Sequence, residues 1–139
     1  MKEIDDLLQQ YKTAVFEKDI AAYAAVYHED VQIFDLWMQW TYNGLEEWLG
    51  MAKEWFDSLG NNRDAVNFGD VRIELGADMA FVTALVKFAA ISETGEELRY
   101  LQNRLTWVVS KKNDKWKVIH QHTSSPVNFE TLQVILKNE

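Results

Sequence analysis

"RLTWVVSKKNDKWKVIHQHTSSP", residues 104–126, reads as the end of one β-rich run, a short polar break at "KKND" (111–114), and a second β-rich run closing at the chain's single proline. Valine, isoleucine, threonine and tryptophan on both sides of a lysine/asparagine/aspartate turn are a hairpin signature. Working outward, "LRYLQNRLTWVVS" and "KWKVIHQHTSS" are preceded by "AVNFGDVRIELG" and "MAFVTALVKFAAIS". The separators, "GAD" (76–78) and "ETGEE" (93–97), are again too short for anything but turns. Four consecutive runs with such connections form an antiparallel meander.

The first half has the other periodicity. Ile4, Leu7, Leu8, Tyr11 and Val15 recur at helical spacing, which puts Tyr11 on an inward face. Asp19 is placed as the N-cap of a second, alanine-rich helix from Ile20 to about Tyr27. "VQIFDLW" (31–37) reads as a short strand, and Asn43-Gly44 precedes a third helix over roughly 45–56. The tail, 129–137, is compatible with a last helix or an added strand. No repeat or linker divides the chain, so residues 1–139 are read as a single domain. The plan is α+β: three N-terminal helices wrapped by a curved antiparallel sheet, leaving a conical hollow. Exposed apolar residues on the outer face would favour a homodimer.

With a net charge of −8 the chain lacks the basic footprint that nucleic acid or an anionic membrane surface requires. The one basic cluster, Lys111, Lys112, Lys115 and Lys117, surrounds the hairpin turn and reads as a solvated face. The absence of cysteine excludes disulfides, iron–sulfur clusters and thiol nucleophiles. "MKEIDDLLQQY" is acidic and does not read as a signal peptide, so a cytoplasmic location is expected.

Several residues could carry chemistry. Arg104 and Thr106 share a strand face; if it lines the hollow, Arg104 offers a two-pronged grip on a carboxylate or other anion. His120 and His122 also share a face, about 6.5–7 Å apart along the strand. A zinc site needs at least three protein ligands, and the remaining histidine, His28, lies far back in the chain. No metal is therefore expected, and His122 reads as structural or as a polar contact to a ligand. Trp37, Met38, Trp40 and Tyr42 cluster just past the first strand, as a sheltering lid or as an ordinary hydrophobic anchor.

Three stretches carry a resemblance. "EKDIAAYAAVYHEDVQIFD" (17–35), "YNGLEEWLGMAKEWF" (42–56) and, most specifically, "RLTWVVSKKNDKWKVIHQHTSSP" (104–126) are similar to the SnoaL-like branch of the nuclear transport factor 2-like superfamily. Its relatives include ketosteroid isomerases, polyketide cyclases and the association domain of calcium/calmodulin-dependent kinase. The resemblance covers the chain to about residue 126 and implies a cone-shaped α+β barrel, usually dimeric, with a pocket at its wide end. Aligned to the isomerases without gaps, Asp35 falls at the general base and Tyr11 at the oxyanion-hole tyrosine, chemistry for which ketosteroid isomerase is a standard case. Thr106 appears where those enzymes present a protonated aspartate, a departure that argues against steroid isomerisation. The family ending makes the histidines polar residues of the last strand and leaves Gln121 and Thr123, on its other face, as candidates for the pocket wall.

Two functions stay open. One is a cofactor-free pocket protein whose small-molecule ligand is partly apolar or anionic, possible catalysis being acid–base work by Asp35 and Tyr11 with Arg104, Thr106, Trp37, Gln121, Thr123 and His122 around the ligand. The other is a non-catalytic association module with a vestigial or regulatory pocket. The fold hosts both.

Overall fold

The computed structural model describes residues 2–139. Helix α1 spans Lys2–Glu17 and buries Ile4, Leu7, Leu8, Tyr11, Ala14 and Val15, the stripe its spacing dictates. Lys18, with φ 55°, breaks the helix, and its ammonium donates to the carbonyls of Gly60 (2.6 Å) and Asn62 (3.1 Å). Asp19 then caps α2 (Ile20–Ala24), its carboxylate accepting from Ala22 N at 3.0 Å. This helix is shorter than its alanine content suggests, because β1 (Tyr27–Phe34) begins four residues earlier than expected. Phe34 therefore ends the strand, and Asp35 and Trp37 lie in the loop beyond it. That loop leads to the two-residue β2 (Tyr42–Asn43) and to α3 (Leu45–Ser58). Gly44, at φ 88° and with its N–H on Val31 O at 2.8 Å, occupies a backbone conformation that L side chains rarely adopt.

The meander follows as β3 (Arg63–Leu75), β4 (Met79–Ile91), β5 (Glu97–Lys112) and β6 (Lys115–Ser124). The six-stranded sheet has the order β2-β1-β6-β5-β4-β3; β1 runs parallel to β6 and every other pair is antiparallel. The β5–β6 hairpin turns on Asn113 and Asp114, both at positive φ, the backbone a tight two-residue connection needs. Register shifts at Gly69/Arg72, Ala90/Ile91 and Val108/Val109 mark bulges, which bend and twist the long strands so that the sheet curves around the helices.

The inner face carries the core. Trp107, Tyr23, Tyr27, Ile4 and Ile33 are among its largest fully buried side chains, each worth about 1.5–3 kcal/mol on leaving water. The tail is neither helix nor regular strand. It doubles back through a single bridge, Val127 to Val134, and fills the place beside β5 left vacant beyond the end of β6. There Gln102 N donates to Leu136 O (2.7 Å) and Ser125 Oγ to Gln102 O (3.0 Å). No helix among the described residues is long and apolar enough to cross a membrane.

Candidate functional site

Between the helices and the inner face of the sheet lies a cavity of about 360 Å³. Its walls are aromatic, with Tyr11 from α1, Tyr23 from α2, Trp48 and Trp55 from α3 and Phe88 from β4. Trp37, Met38 and Glu54, all in contact with solvent, stand at the mouth. Trp40, 95% exposed, is no part of it, and Tyr42 is buried in the core.

Asp35 enters the cavity from the end of β1. Its Oδ1 accepts from Thr123 Oγ1 at 2.9 Å, and Thr123 Oγ1 in turn accepts from Leu36 N at 3.0 Å. A longer contact, 3.4 Å, brings Trp37 N to the other carboxylate oxygen. Thr123 thus fixes the carboxylate, leaving Oδ2 the freer oxygen. Burial raises the Asp35 pKa from its ordinary 3.8 and outweighs the downward pull of the Thr123 hydroxyl and the nearby Trp37 and Leu36 N–H groups. A carboxylate so placed is a stronger base than one in water.

Facing it is a buried chain of hydroxyls. Tyr27 donates to Gln121 Oε1 at 2.6 Å, and the Tyr27 and Tyr23 hydroxyls are 3.3 Å apart. Tyr27 has one proton and spends it on Gln121, so Tyr23 supplies the proton of the second contact. The ring of Tyr11 packs on Tyr23 and Trp107, with centroids 5.5 and 5.8 Å away. Desolvation raises the pKa of Tyr11 well above 10, with the neighbouring Tyr27 and, more weakly, Asp35 adding to it. Tyr11 therefore stays protonated as a hydrogen-bond donor.

Gln121 is 2% exposed and oriented without ambiguity. Its Oε1 also accepts from Trp107 Nε1 at 2.9 Å, and an indole nitrogen can only donate. The amide nitrogen is left toward the cavity that Gln121 lines. Two further polar atoms of the lining are buried without a protein partner: Trp48 Nε1 and Asn103 Oδ1. The indole of Trp48 approaches the Tyr27 hydroxyl closely enough to lower its pKa but completes no hydrogen bond.

Of the residues singled out in the sequence, Asp35, Tyr11, Trp37, Gln121 and Thr123 meet in this cavity. Arg104, Thr106 and His122 do not, and their expected place in the pocket is corrected. In β5 the inward parity belongs to Asn103, Leu105 and Trp107. The pairing sets Thr106 opposite His122 and Arg104 opposite Ser124, so all four point outward together. Arg104 Nε donates to Ser124 Oγ at 3.1 Å and borders a separate outer hollow of about 250 Å³ with Pro126 and Lys137. Thr106 consequently cannot stand in for the isomerases' aspartate, and the arginine grip on an anionic ligand disappears with Arg104. His120 and His122, ring centroids 6.4 Å apart, flank Phe34 on the same outer face. Among the described residues no three histidine, cysteine, aspartate or glutamate side chains come together as metal ligands would.

Sequence reasoning missed Asn103, Asp64, Glu54 and Trp55. Asn103 had a signal: it is the polar member of the inward series Leu101, Asn103, Leu105, Trp107. Asp64, at the start of β3, accepts from Trp55 Nε1 at 2.9 Å. Its pKa is raised by burial, against the opposing pull of that hydrogen bond and of Arg99.

The model of the SnoaL-like domain family matches residues 4–128. Solved structures agree on the fold. A nuclear transport factor 2-like protein of unknown function from Pseudomonas putida superposes with a TM-score of 0.87 at 20% identity, over 99% of this chain and 94% of that one. A protein provisionally named a calcium/calmodulin-dependent protein kinase II association domain, from Xanthomonas campestris, gives 0.69 at 20% identity over 88% and 84%. A provisionally named aromatic ring hydroxylase from Novosphingobium aromaticivorans gives 0.68 at 22% identity over 88% and 85%. No protein with a curated description matches the sequence. At these identities the likeness establishes the nuclear transport factor 2-like, cystatin-like fold and nothing finer.

Proposed function

The chain belongs to the SnoaL-like domain family, and on that premise we propose that its cone is a working small-molecule pocket in which Asp35 is a general base. The observation that carries this reading is a desolvated carboxylate, held by Thr123, in a cavity of about 360 Å³ walled by aromatic rings. A filled cone would have suited a pure association module better.

In this reading the ligand is partly apolar, with a carbonyl group and an acidic C–H next to it. The freer Asp35 oxygen takes the proton from that carbon. The electron pair of the C–H bond moves into the carbon–carbon bond of an enolate, and negative charge builds on the carbonyl oxygen. Tyr11 and the Gln121 amide are the available donors to that oxygen. Once Asp35 has traded its proton with solvent, delivery of the new one to the same carbon completes an exchange. With a β,γ-double bond in the ligand, delivery of the original proton to the γ-carbon completes an isomerisation, with no cofactor required.

The test is solvent-deuterium exchange at the α-carbon of a panel of cyclic ketones, followed by proton NMR. The wild-type protein should accelerate exchange for at least one member, and Asp35→Asn should abolish the acceleration while still binding that ketone. Equal rates with wild type and Asp35→Asn would overturn the role given to Asp35.

A further inference from the structure

The charge inside the cavity is one-sided. Three of its fifteen lining residues are acids, Asp35, Glu54 and Asp64, and none is lysine, arginine or histidine. No ion pair among the described residues involves any of the three. Arg99 lies near enough to pull the Asp64 pKa down, but it is exposed and is not part of the lining. Asp64 is tied to Trp55 at 2.9 Å, and Trp55 continues edge-on into Phe88, centroids 6.0 Å apart. Carboxylates and aromatic rings lining the same partly dry space form an environment that favours an organic cation, since both the charge and the ring quadrupoles attract it.

A second, independent feature points the same way. Asn103 Oδ1 belongs to a side chain only 7% exposed, lines the cavity and has no hydrogen-bond partner. A buried acceptor left unmade costs free energy, which a ligand N–H would recover once the amide turns Oδ1 toward the cavity.

We propose that the ligand of this cavity carries a protonated nitrogen, an organic ammonium on an apolar, ring-sized scaffold, seated toward Asp64, Glu54 and Asn103 beside the Trp55 ring. This rests on the cavity being a ligand site, and it assigns the ligand's charge. The carbonyl end meets Asp35 and the donors around Gln121, while the ammonium end is held by acids that the exchange chemistry leaves unused. An anionic ligand would face three carboxylates with no cation to offset them.

The experiment is calorimetric titration of the full chain with three probes of matched shape: 2-phenylethylammonium, 2-phenylethanol and 3-phenylpropanoate. The ammonium should bind at least about tenfold more tightly than the alcohol, with the propanoate weakest, and its advantage should shrink at high salt. Glu54→Gln, at an exposed position tolerant of change, and Asp64→Asn should each cut the ammonium's advantage severalfold while leaving alcohol binding as it was. If the alcohol binds as tightly as the ammonium, or the propanoate binds best, the charge assignment is wrong and the pocket reading stands. If none of the three binds, both fall together.

Discussion

Replacing Gln121 by leucine tests the buried polar chain that shapes the floor of the cavity. Leucine nearly matches glutamine in size, so the main loss is one acceptor, Oε1, which serves Tyr27 at 2.6 Å and Trp107 at 2.9 Å. Both partners are almost wholly buried, and neither donor can turn to water. A stranded buried donor costs about 1–3 kcal/mol, so two cost about 2–6 kcal/mol, and apolar gain at leucine returns about 1 kcal/mol. The expected net loss is about 3 kcal/mol, which for a chain of this length lowers Tm by roughly 10 °C. The assay is equilibrium urea unfolding at fixed protein concentration, comparing Gln121→Leu, Tyr27→Phe and the double variant. Tyr27→Phe alone should cost about 1–1.5 kcal/mol. In the Gln121→Leu background it should cost almost nothing, because it deletes a donor already stranded, giving a coupling of about 1–1.5 kcal/mol. Strict additivity, or a loss below about 1 kcal/mol for Gln121→Leu, would refute the assignment of Oε1 as the shared acceptor.

The raised pKa of Asp35 also makes a statement about stability. Between its unfolded value and its higher folded value the native protein holds a proton that the unfolded chain has lost, so this group's contribution declines as pH rises through that window. Asp35→Asn should therefore be more stable than wild type at pH 7, with the gain shrinking as pH falls toward 4, as urea unfolding at the two pH values would show. Separately, the outer face exposes Phe81 and Leu85 on β4, and we expect a homodimer to cover these side chains. Sedimentation equilibrium should give twice the 16.2 kDa chain mass, and Phe81→Glu should shift it toward the monomer.

The meander was legible because its evidence is local: β-branched runs, short turns, and a lysine-flanked Asn113-Asp114 connection. The helical faces of α1 and α3 were equally plain from spacing. Which strand face lines the hollow was not, since alternation says which residues share a side and leaves open which side is inside. The register then carried Arg104, Thr106 and His122 outward as one group. Asp64 and Trp55 escaped notice because their meeting joins the end of α3 to the start of β3, a contact made by packing rather than pattern. The tail stayed ambiguous for a related reason. Its hydrogen bonds go to Gln102, a partner that only the finished sheet puts within reach.

The most direct test of the account is an NMR titration of the Asp35 carboxyl carbon, run with and without a cyclic ketone from the exchange panel. Desolvation in a working cavity predicts a midpoint clearly above the ordinary aspartate value of 3.8, shifted again by the ketone, and a higher midpoint still in Thr123→Val, which lacks the 2.9 Å hydrogen bond. An ordinary midpoint, indifferent to both the ketone and Thr123, would contradict the reading of Asp35 as a base and favour the association module instead.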